Sequence, residues 1–404
     1  MSTHQWQFRS RFRRHAFGWR SNTPLARIKE AVAEIKKVAR TEGALAAEGA
    51  VMLLEKLSPA LEHVDSSSGA LGSAVNRAID ALVPIIAKAD VESEVRARWL
   101  ARLWEALQND EMPYIEVLGD YWGELCVTPE LARVWVDELQ PVVEQAWCPR
   151  STGHDFFKGT SACLAALFAA GCYAQLLALI ERAPFKWWHY RRWGVKALAA
   201  MGQKAEAIRY ADELRGVNDP AWQIAEACEA ILLSSGLAEE AYQRYAVEAN
   251  QGATHHATFR AIAKKYPDKS AIDILRDLVA SSPGAEGKWF AAAKDAGLFE
   301  LALELVSTSP ADPRTLARAA RDYAEERPVF AIGVGLAALR WISLGYGYEV
   351  SSTDVLDAYS AVMRAVTHQP DCDEQEIKTK IQALIAGSSS NSFLKSTLAH
   401  HLSI

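Results

Sequence analysis

The chain has 404 residues, of which half are hydrophobic and 23% are charged. This composition is typical of a folded protein and excludes a largely disordered one. The formal net charge of −6 argues against a protein that coats nucleic acid with its whole surface.

The first 29 residues carry seven basic side chains and no acidic one. The segment FRSRFRRHAFGWR (8–20) alternates aromatic and basic residues. One interpretation is an anion site, in which arginines contact phosphates and aromatic rings stack on bases. It would use the basic side chains Arg9, Arg11, Arg13, Arg14, Arg20 and, further along, Lys186. The other is an N-terminal arm (residues 1–23) whose aromatic side chains Phe8, Phe12, Phe17 and Trp19 dock onto the first helices.

Six helices are predicted in the next part of the chain, at 24–40, 44–62, 70–88, 91–108, 113–125 and 129–146. Thr23-Pro24 and Thr128-Pro129 each place a capping hydroxyl before a proline at the first helical position. The second helix carries a leucine stripe that suits one buried face. Short links make successive helices antiparallel, which predicts an N-terminal domain of HEAT/armadillo-like hairpins over 24–150.

The cluster FKWWHYRRW (185–193) has the most unusual local composition. Trp187 and Arg191 are four residues apart, as are Trp188 and Arg192, so each guanidinium could lie over an indole ring. Such a surface would bind phosphates or an acidic peptide, and it predicts Trp188, Tyr190, Arg191 and Arg192 as partner-binding residues. The alternative is that the tryptophans pack between helices and the arginine stems cover them.

A glycine follows an Ala-rich helix at Gly171, Gly202, Gly236 and Gly297. The first two gaps are 31 and 34 residues, and the third, 61, is nearly twice that and contains a degenerate unit with a turn near Pro267. A small residue lies five positions after three of these glycines, at Ala207, Ala241 and Ala302. Glycine would end the first helix of a hairpin in the left-handed conformation, and alanine would let the second helix approach closely.

This pattern resembles the tetratricopeptide repeat, which has a glycine at the turn and a small residue five positions later. Pro220, Pro283 and Pro313 lie near the positions where that family closes its second helix. The resemblance covers about residues 158–342, inside a predicted repeat domain at 151–349. It implies an all-α, right-handed α-α superhelix (α-solenoid) of stacked antiparallel hairpins. Residues 350–404 would form a cap, with helices at 353–367 and 373–386, the loop GSSSNS and a last short helix. Asp373 and Glu376 have the spacing of a capping box.

The six cysteines form no CxxC pair and no disulfide framework, so we expect reduced thiols and a cytoplasmic protein. No apolar run reaches the roughly 18 residues that span a bilayer, so no membrane insertion is expected. Adjacent histidines, as in His255-His256 and His400-His401, point to different sides of a helix and predict no metal site.

No GxSxG or HExxH motif is present and no cofactor is expected. The sequence therefore favours a non-enzymatic scaffold or adaptor that binds a protein or peptide partner in a concave groove. The alternative is a nucleic-acid-binding repeat protein that uses the N-terminal arm and the aromatic-basic cluster. An enzyme assembled from dispersed residues is a third class that no motif supports.

Overall fold

The computed structural model describes residues 4–149, 155–213, 216, 218–386 and 391–402. Every regular element in these ranges is a helix, and helices that follow one another pack together, which confirms the predicted all-α fold of stacked hairpins. The chain forms two compact units, Met1–Pro220 (the N-terminal unit) and Ala221–Ile404 (the C-terminal unit). This division does not coincide with the predicted domain boundaries near residues 150 and 349.

The described part of the N-terminal unit contains ten α-helices and two 3₁₀ helices, Gln7–Ser10 and Glu116–Tyr121. The α-helices are α1 (Asn22–Val38), α2 (Gly43–Leu61), α3 (Ala70–Ala87), α4 (Ser93–Gln108), α5 (Trp122–Cys126), α6 (Pro129–Ala146), α7 (Thr160–Ala169), α8 (Tyr173–Glu181), α9 (Trp188–Ala200) and α10 (Lys204–Glu213). All six predicted helices of this unit are present, the fifth as a 3₁₀ turn followed by α5.

The two predicted threonine caps differ. The Thr128 hydroxyl accepts a hydrogen bond from the Leu131 amide (3.3 Å) and caps α6. Helix α1, however, begins at Asn22, so Thr23 lies inside its first turn and the prediction of a cap there is wrong. The leucine stripe of α2 is completely buried, as expected for a helix that packs against α1, α3 and α4.

Among the described helices, α3 alone has the length (18 residues) and composition of a membrane-spanning segment, which the sequence reasoning did not expect. Its exposed face carries Arg77 and Asp80, while large apolar residues of the opposite face, such as Ile79 and Leu82, are buried against neighbouring helices. An amphipathic core helix has these properties.

The described part of the C-terminal unit contains eleven α-helices and the 3₁₀ helix Glu286–Trp289. The α-helices are α11 (Ala221–Leu233), α12 (Ala238–Ala249), α13 (His255–Lys265), α14 (Ala271–Ala280), α15 (Phe290–Asp295), α16 (Phe299–Thr308), α17 (Pro313–Asp322), α18 (Pro328–Ser343), α19 (Ser352–Thr367), α20 (Glu374–Ala386) and α21 (Asn391–Leu402). Residues 387–390 of the predicted loop GSSSNS lie outside the described ranges.

The four turn glycines have the predicted conformation, with φ between 71° and 79° at Gly171, Gly202, Gly236 and Gly297. At the end of α9, the Gly202 amide donates to the Ala199 carbonyl (3.0 Å) and the next amide, of Gln203, donates to the carbonyl of residue 198 (2.9 Å). This pair of bonds is the Schellman motif, which satisfies carbonyls left free at the helix end.

The small residues after these turns also lie where the sequence places them. Ala207, Ala241 and Ala302 are completely buried, each on a helix that packs against the one before it. A larger side chain at these positions would push the paired helices apart.

Helices α19 and α20 match the predicted ones to within a residue. The capping box, however, lies at the start of α19, where the Ser351 hydroxyl and the Asp354 carboxylate each accept a hydrogen bond from the other residue's amide. At the predicted position, the Asp373 carboxylate accepts from the Gln375 amide (2.9 Å).

Candidate functional site

The N-terminal arm is docked onto the first two helices of its unit. Phe8 and Phe12 are buried, as the second interpretation of the arm expected, and Phe17 is half-buried. Trp19 is 72% exposed, so the prediction that it docks is wrong. Trp6 is buried instead, against Gly49 of α2, where a Cβ atom would lie 2.3 Å from the indole ring. The position therefore requires glycine.

The two carboxylates of α1 both bind to the docked arm. The Glu34 carboxylate accepts hydrogen bonds from the backbone amides of Gln7 (2.9 Å) and Phe8 (3.4 Å). Glu30 forms ion pairs with Arg11 (2.8 Å) and Arg27 (2.6 Å), and the hydrogen bond from Arg27 holds its pKa below the usual value. The lysines on the other side of α1 are left without these acidic neighbours.

All five arm arginines that the sequence proposed for anion binding are exposed. Arg11 is paired with Glu30, and Arg14 lies 3.9 Å from Glu62. Within the described residues, Arg9, Arg13 and Arg20 form no ion pair. Lys186 is exposed but paired. Its amine donates to the Glu181 carbonyl (2.8 Å) and lies 3.2 Å from the Glu181 carboxylate.

The aromatic-basic cluster is largely inside the protein. Trp188 and Tyr190 are buried, and Arg191 is completely buried, so these three predicted partner-binding residues are not accessible to a partner. The Arg191 guanidinium forms an ion pair with Asp219 (3.2 Å) and donates to the Ala211 carbonyl (3.1 Å). The alternative interpretation, in which tryptophans pack between helices, holds for the buried Trp188 and Trp193. It did not expect the whole Arg191 side chain, rather than its stem alone, to be buried.

Asp219 supplies the negative charge that pairs with the buried Arg191 guanidinium. Its carboxylate accepts hydrogen bonds from the amides of Trp188 (3.1 Å) and Gly216 (2.8 Å) and thereby caps the first turn of α9. Trp187, the residue that precedes α9, provides no capping side chain. The predicted stacking pairs are also different, because Arg191 lies over Trp188 at 5.8 Å.

The fourth predicted partner-binding residue, Arg192, is half-buried and pairs with Asp120. Beside it, the His189 Nε2 atom lies 2.7 Å from the Ser161 Oγ atom and 3.8 Å from Asp120. In a Ser-His-Asp relay the two ring nitrogens face different partners. Here one nitrogen faces both, so the three residues do not form a catalytic triad. Burial lowers the pKa of His189, which favours the neutral ring.

The accessible part of the cluster is a pair that sequence reasoning did not select. Phe185 and Trp187 are about half exposed, and their rings stack with centroids 4.8 Å apart and planes 8° apart. They precede α9, where the chain is not yet packed into the helix layer. Exposure thus separates these two aromatic residues from the buried rings that follow them.

A groove in the N-terminal unit lies between α1 and α3 and has a cavity volume of about 630 Å³. Its floor consists of aliphatic side chains from successive turns of the two helices, namely Leu25, Ile28, Val32, Ala74, Ala78 and Ala81. Its rim carries three exposed cations, Lys29, Lys36 and Arg77. The spacing of three and four residues on each helix places these side chains on one face.

The groove is strongly asymmetric in charge. No acidic residue lines it, and none of its three cations forms an ion pair within the described chain. Residues 1–88 contain 13 basic and eight acidic residues, although the whole chain is acidic. The groove therefore combines an apolar floor with a positive rim, as a site for an acidic amphipathic ligand would.

Two further cavities in the described part of the C-terminal unit are mixed in charge. The larger, about 680 Å³, lies between α14 and α16 and is lined by Arg276, Arg327, Glu300 and Glu304. The other, about 400 Å³, lies between α17 and α19, where Arg314 is paired with Asp354 at 2.8 Å. Because both cavities are lined by basic and acidic side chains, neither one favours an acidic ligand over a basic one.

No protein-family model and no curated protein matches this chain. Among solved structures, the chain is similar over 94% of its length to one described as "Circular tandem repeat protein with novel repeat topology and enhanced subunit contact surfaces". That alignment covers 91% of the other chain at 13% sequence identity, with a TM-score of 0.18. A likeness this distant carries no argument about function.

Proposed function

We propose that this protein is a non-enzymatic helical-repeat scaffold that binds an acidic amphipathic helix of a partner protein in the α1–α3 groove. The observation that carries this proposal is an aliphatic floor with no acidic lining residue and three cations that form no ion pair among the described residues. An amphipathic helix would place its apolar face on the floor and its carboxylates at the rim.

The alanines of the floor suit a helical ligand in particular. Ala74, Ala78 and Ala81 follow one another along α3 and present little side-chain volume. A bound helix could approach α3 closely there, as helices do where small residues line their contact. Lys29, Lys36 and Arg77 would then meet acidic side chains that flank the apolar stripe of the ligand.

We also infer that the hairpins are degenerate relatives of the tetratricopeptide repeat and that the protein is cytoplasmic. The left-handed glycines followed by buried alanines support the first inference. The second rests on cysteines that form no disulfide in the described structure, including the exposed Cys148.

Nucleic-acid binding is a second candidate, which the exposed and unpaired Arg9, Arg13 and Arg20 favour. It differs from the groove proposal in its salt dependence. Binding to phosphates would weaken steeply as salt rises, with a slope that reports the number of neutralised phosphates. Binding of an acidic helix would retain the contribution of the apolar floor at higher salt.

Site-specific photo-cross-linking in the native cell tests the proposal. A photoreactive side chain replaces Val32, which lines the groove, or the neighbouring Ala33, which is exposed on α1 and does not line it. We expect a protein adduct only from position 32, on a segment that has acidic residues beside an apolar stripe of helical spacing. An adduct to nucleic acid, or equal protein adducts from both positions, would contradict the proposal.

Charge reversal supplies the matched control. Lys36→Glu changes a groove residue, whereas Lys37→Glu changes the next residue, which is exposed and does not line the groove. The first variant should weaken capture of the cross-linked segment at least tenfold, and the second should change it less than twofold. Equal effects would show that the ligand senses only the overall charge of this region.

A further inference from the structure

Three side chains of the types that ligate metals come together where the N-terminal arm meets the end of α2. His15 belongs to the arm, and Glu62 and His63 directly follow α2. One ligand atom from each residue lies within 4.8 Å of the other two. The two histidines are 48 positions apart in the sequence, so this cluster exists only in the folded chain.

The arrangement is held by the backbone of the arm as well as by side chains. His15 has φ of 55°, a left-handed conformation that histidine adopts more readily than most residues, and its amide donates to the Pro59 carbonyl (2.9 Å). The buried Phe12 and the half-buried Phe17 flank it in the sequence and anchor the arm. The imidazole is thus directed to the end of α2 by a fixed backbone.

The geometry points to a site for a divalent transition-metal ion, with His15, Glu62 and His63 as its three protein ligands. Two imidazoles and one carboxylate form a ligand set that suits Zn²⁺, Co²⁺ or Ni²⁺ and that Mg²⁺ and Ca²⁺ do not prefer. Water would complete the coordination sphere, since both histidines are exposed. This inference does not depend on the groove between α1 and α3.

One of the ligand-atom distances already matches what such an ion requires. Ligands of a tetrahedral zinc ion lie about 2.0–2.2 Å from the metal and therefore about 3.3–3.6 Å from one another. The His15 Nδ1 atom is already 3.4 Å from the Glu62 Oε2 atom. The His63 ring, stacked on His15 with centroids 4.3 Å apart, must rotate so that its nitrogen points at the ion. Its exposure leaves room for this rotation.

One positive group competes with a cation at this place. The Arg14 Nε atom lies 3.9 Å from the Glu62 carboxylate, but its side chain is 69% exposed and can turn into water. Because the ligands come from the arm and from the end of α2, a bound ion would join these two segments. The metal should therefore stabilise the docked arm as well as bind to it.

Metal titration of the full chain tests the inference. Zn²⁺ and Mg²⁺ are titrated calorimetrically into the native protein and into His15→Asn, which removes the imidazole but keeps a residue that tolerates the left-handed backbone. His63→Gln removes the second imidazole. The control, His256→Ala, removes a histidine that lies 3.1 Å from Asp295. Helicity by circular dichroism verifies that each variant is folded.

We expect the native protein and His256→Ala to bind one Zn²⁺ each and no Mg²⁺, and Zn²⁺ to raise the melting temperature. Removing an outer-sphere partner of a metal ligand costs about 10- to 100-fold in metal affinity. Both variants remove a ligand itself, so each should lose more Zn²⁺ affinity than that. An unchanged Zn²⁺ affinity in folded His15→Asn and His63→Gln, or no Zn²⁺ binding by the native protein, would overturn the inference.

Discussion

Replacing Arg191 by methionine should destabilise the N-terminal unit without acting on a binding surface. The guanidinium is completely buried and makes its ion pair with an Asp219 side chain that is only 12% exposed. Methionine fills much of the space of the arginine stem but leaves the carboxylate and the Ala211 carbonyl without this partner. The change therefore tests whether the aromatic-basic cluster serves stability or recognition.

The expected loss can be worked out from these contacts. Removing one partner of a buried ion pair costs about 3–5 kcal/mol. Asp219 keeps two backbone amide donors, from Trp188 and Gly216, so the lower end, about 3 kcal/mol, applies. For a unit of this size, 1 kcal/mol lowers the melting temperature by about 2–4 °C, which predicts a decrease of about 6–12 °C.

The assay is thermal and urea unfolding of the native protein, Arg191→Met, Asp219→Asn and the double variant. The two single changes should be non-additive, with a coupling of about 1–3 kcal/mol, because they remove the same contact. Arg192→Met is the matched control, since Arg192 is 27% exposed and its ion pair should contribute about 1 kcal/mol or less. If Arg191→Met unfolds like the native protein, the buried ion pair does not stabilise this unit and the reasoning is wrong.

Three further predictions concern other groups. Glu229→Gln should destabilise the C-terminal unit by about 2–3 kcal/mol in urea, because this buried carboxylate accepts hydrogen bonds from three side chains; an unchanged midpoint would contradict this. Burial raises the pKa of Cys126 and Cys163 to about 12. An alkylating reagent at pH 8 should therefore label the exposed Cys148 and spare both until the protein is denatured. Equal labelling of the three cysteines in the folded protein, measured by mass spectrometry, would contradict this. The hydrogen bond from Arg314 holds the pKa of Asp354 below the usual value of an aspartate. The ionised carboxylate therefore stabilises the fold above a pH of about 4, and this contribution is lost as the pH falls further. Asp354→Asn should make thermal stability less dependent on pH below 4, and an identical acid profile would count against the ion pair.

Local signals in the sequence predict the hairpins well. Gly202 and Ala207 act within a single hairpin, so the residues that fix the turn and the close approach of its helices are near one another in the chain. The capping positions were less predictable. Thr23 and Thr128 each precede a proline, yet only Thr128 caps a helix. Helix α1 begins one residue before Thr23, so Thr23 is already helical and cannot be its cap.

The environment of the aromatic-basic cluster is set by a residue outside it. Its composition alone allows either an exposed or a buried arrangement. Asp219 lies 28 positions beyond Arg191, and no local pattern predicts that it caps α9 and pairs with the guanidinium. The same limit applies to His15 and His63, which meet only because the arm folds back onto α2.

The α1–α3 groove shows why an open apolar face is hard to recognise in a sequence. The stripe of Leu25, Ile28 and Val32 has the spacing of any core-facing stripe, and its exposure depends on which helix packs next. Helix α4 packs against α2, so it covers the other side of the first hairpin. The arm then neutralises Glu30 and Glu34 on one side of α1 and leaves the lysines of the other side unpaired. Both the apolar floor and the positive rim of the groove are thus consequences of how distant segments pack, and removing the arm should weaken the charge preference of the groove even though no arm residue lines it.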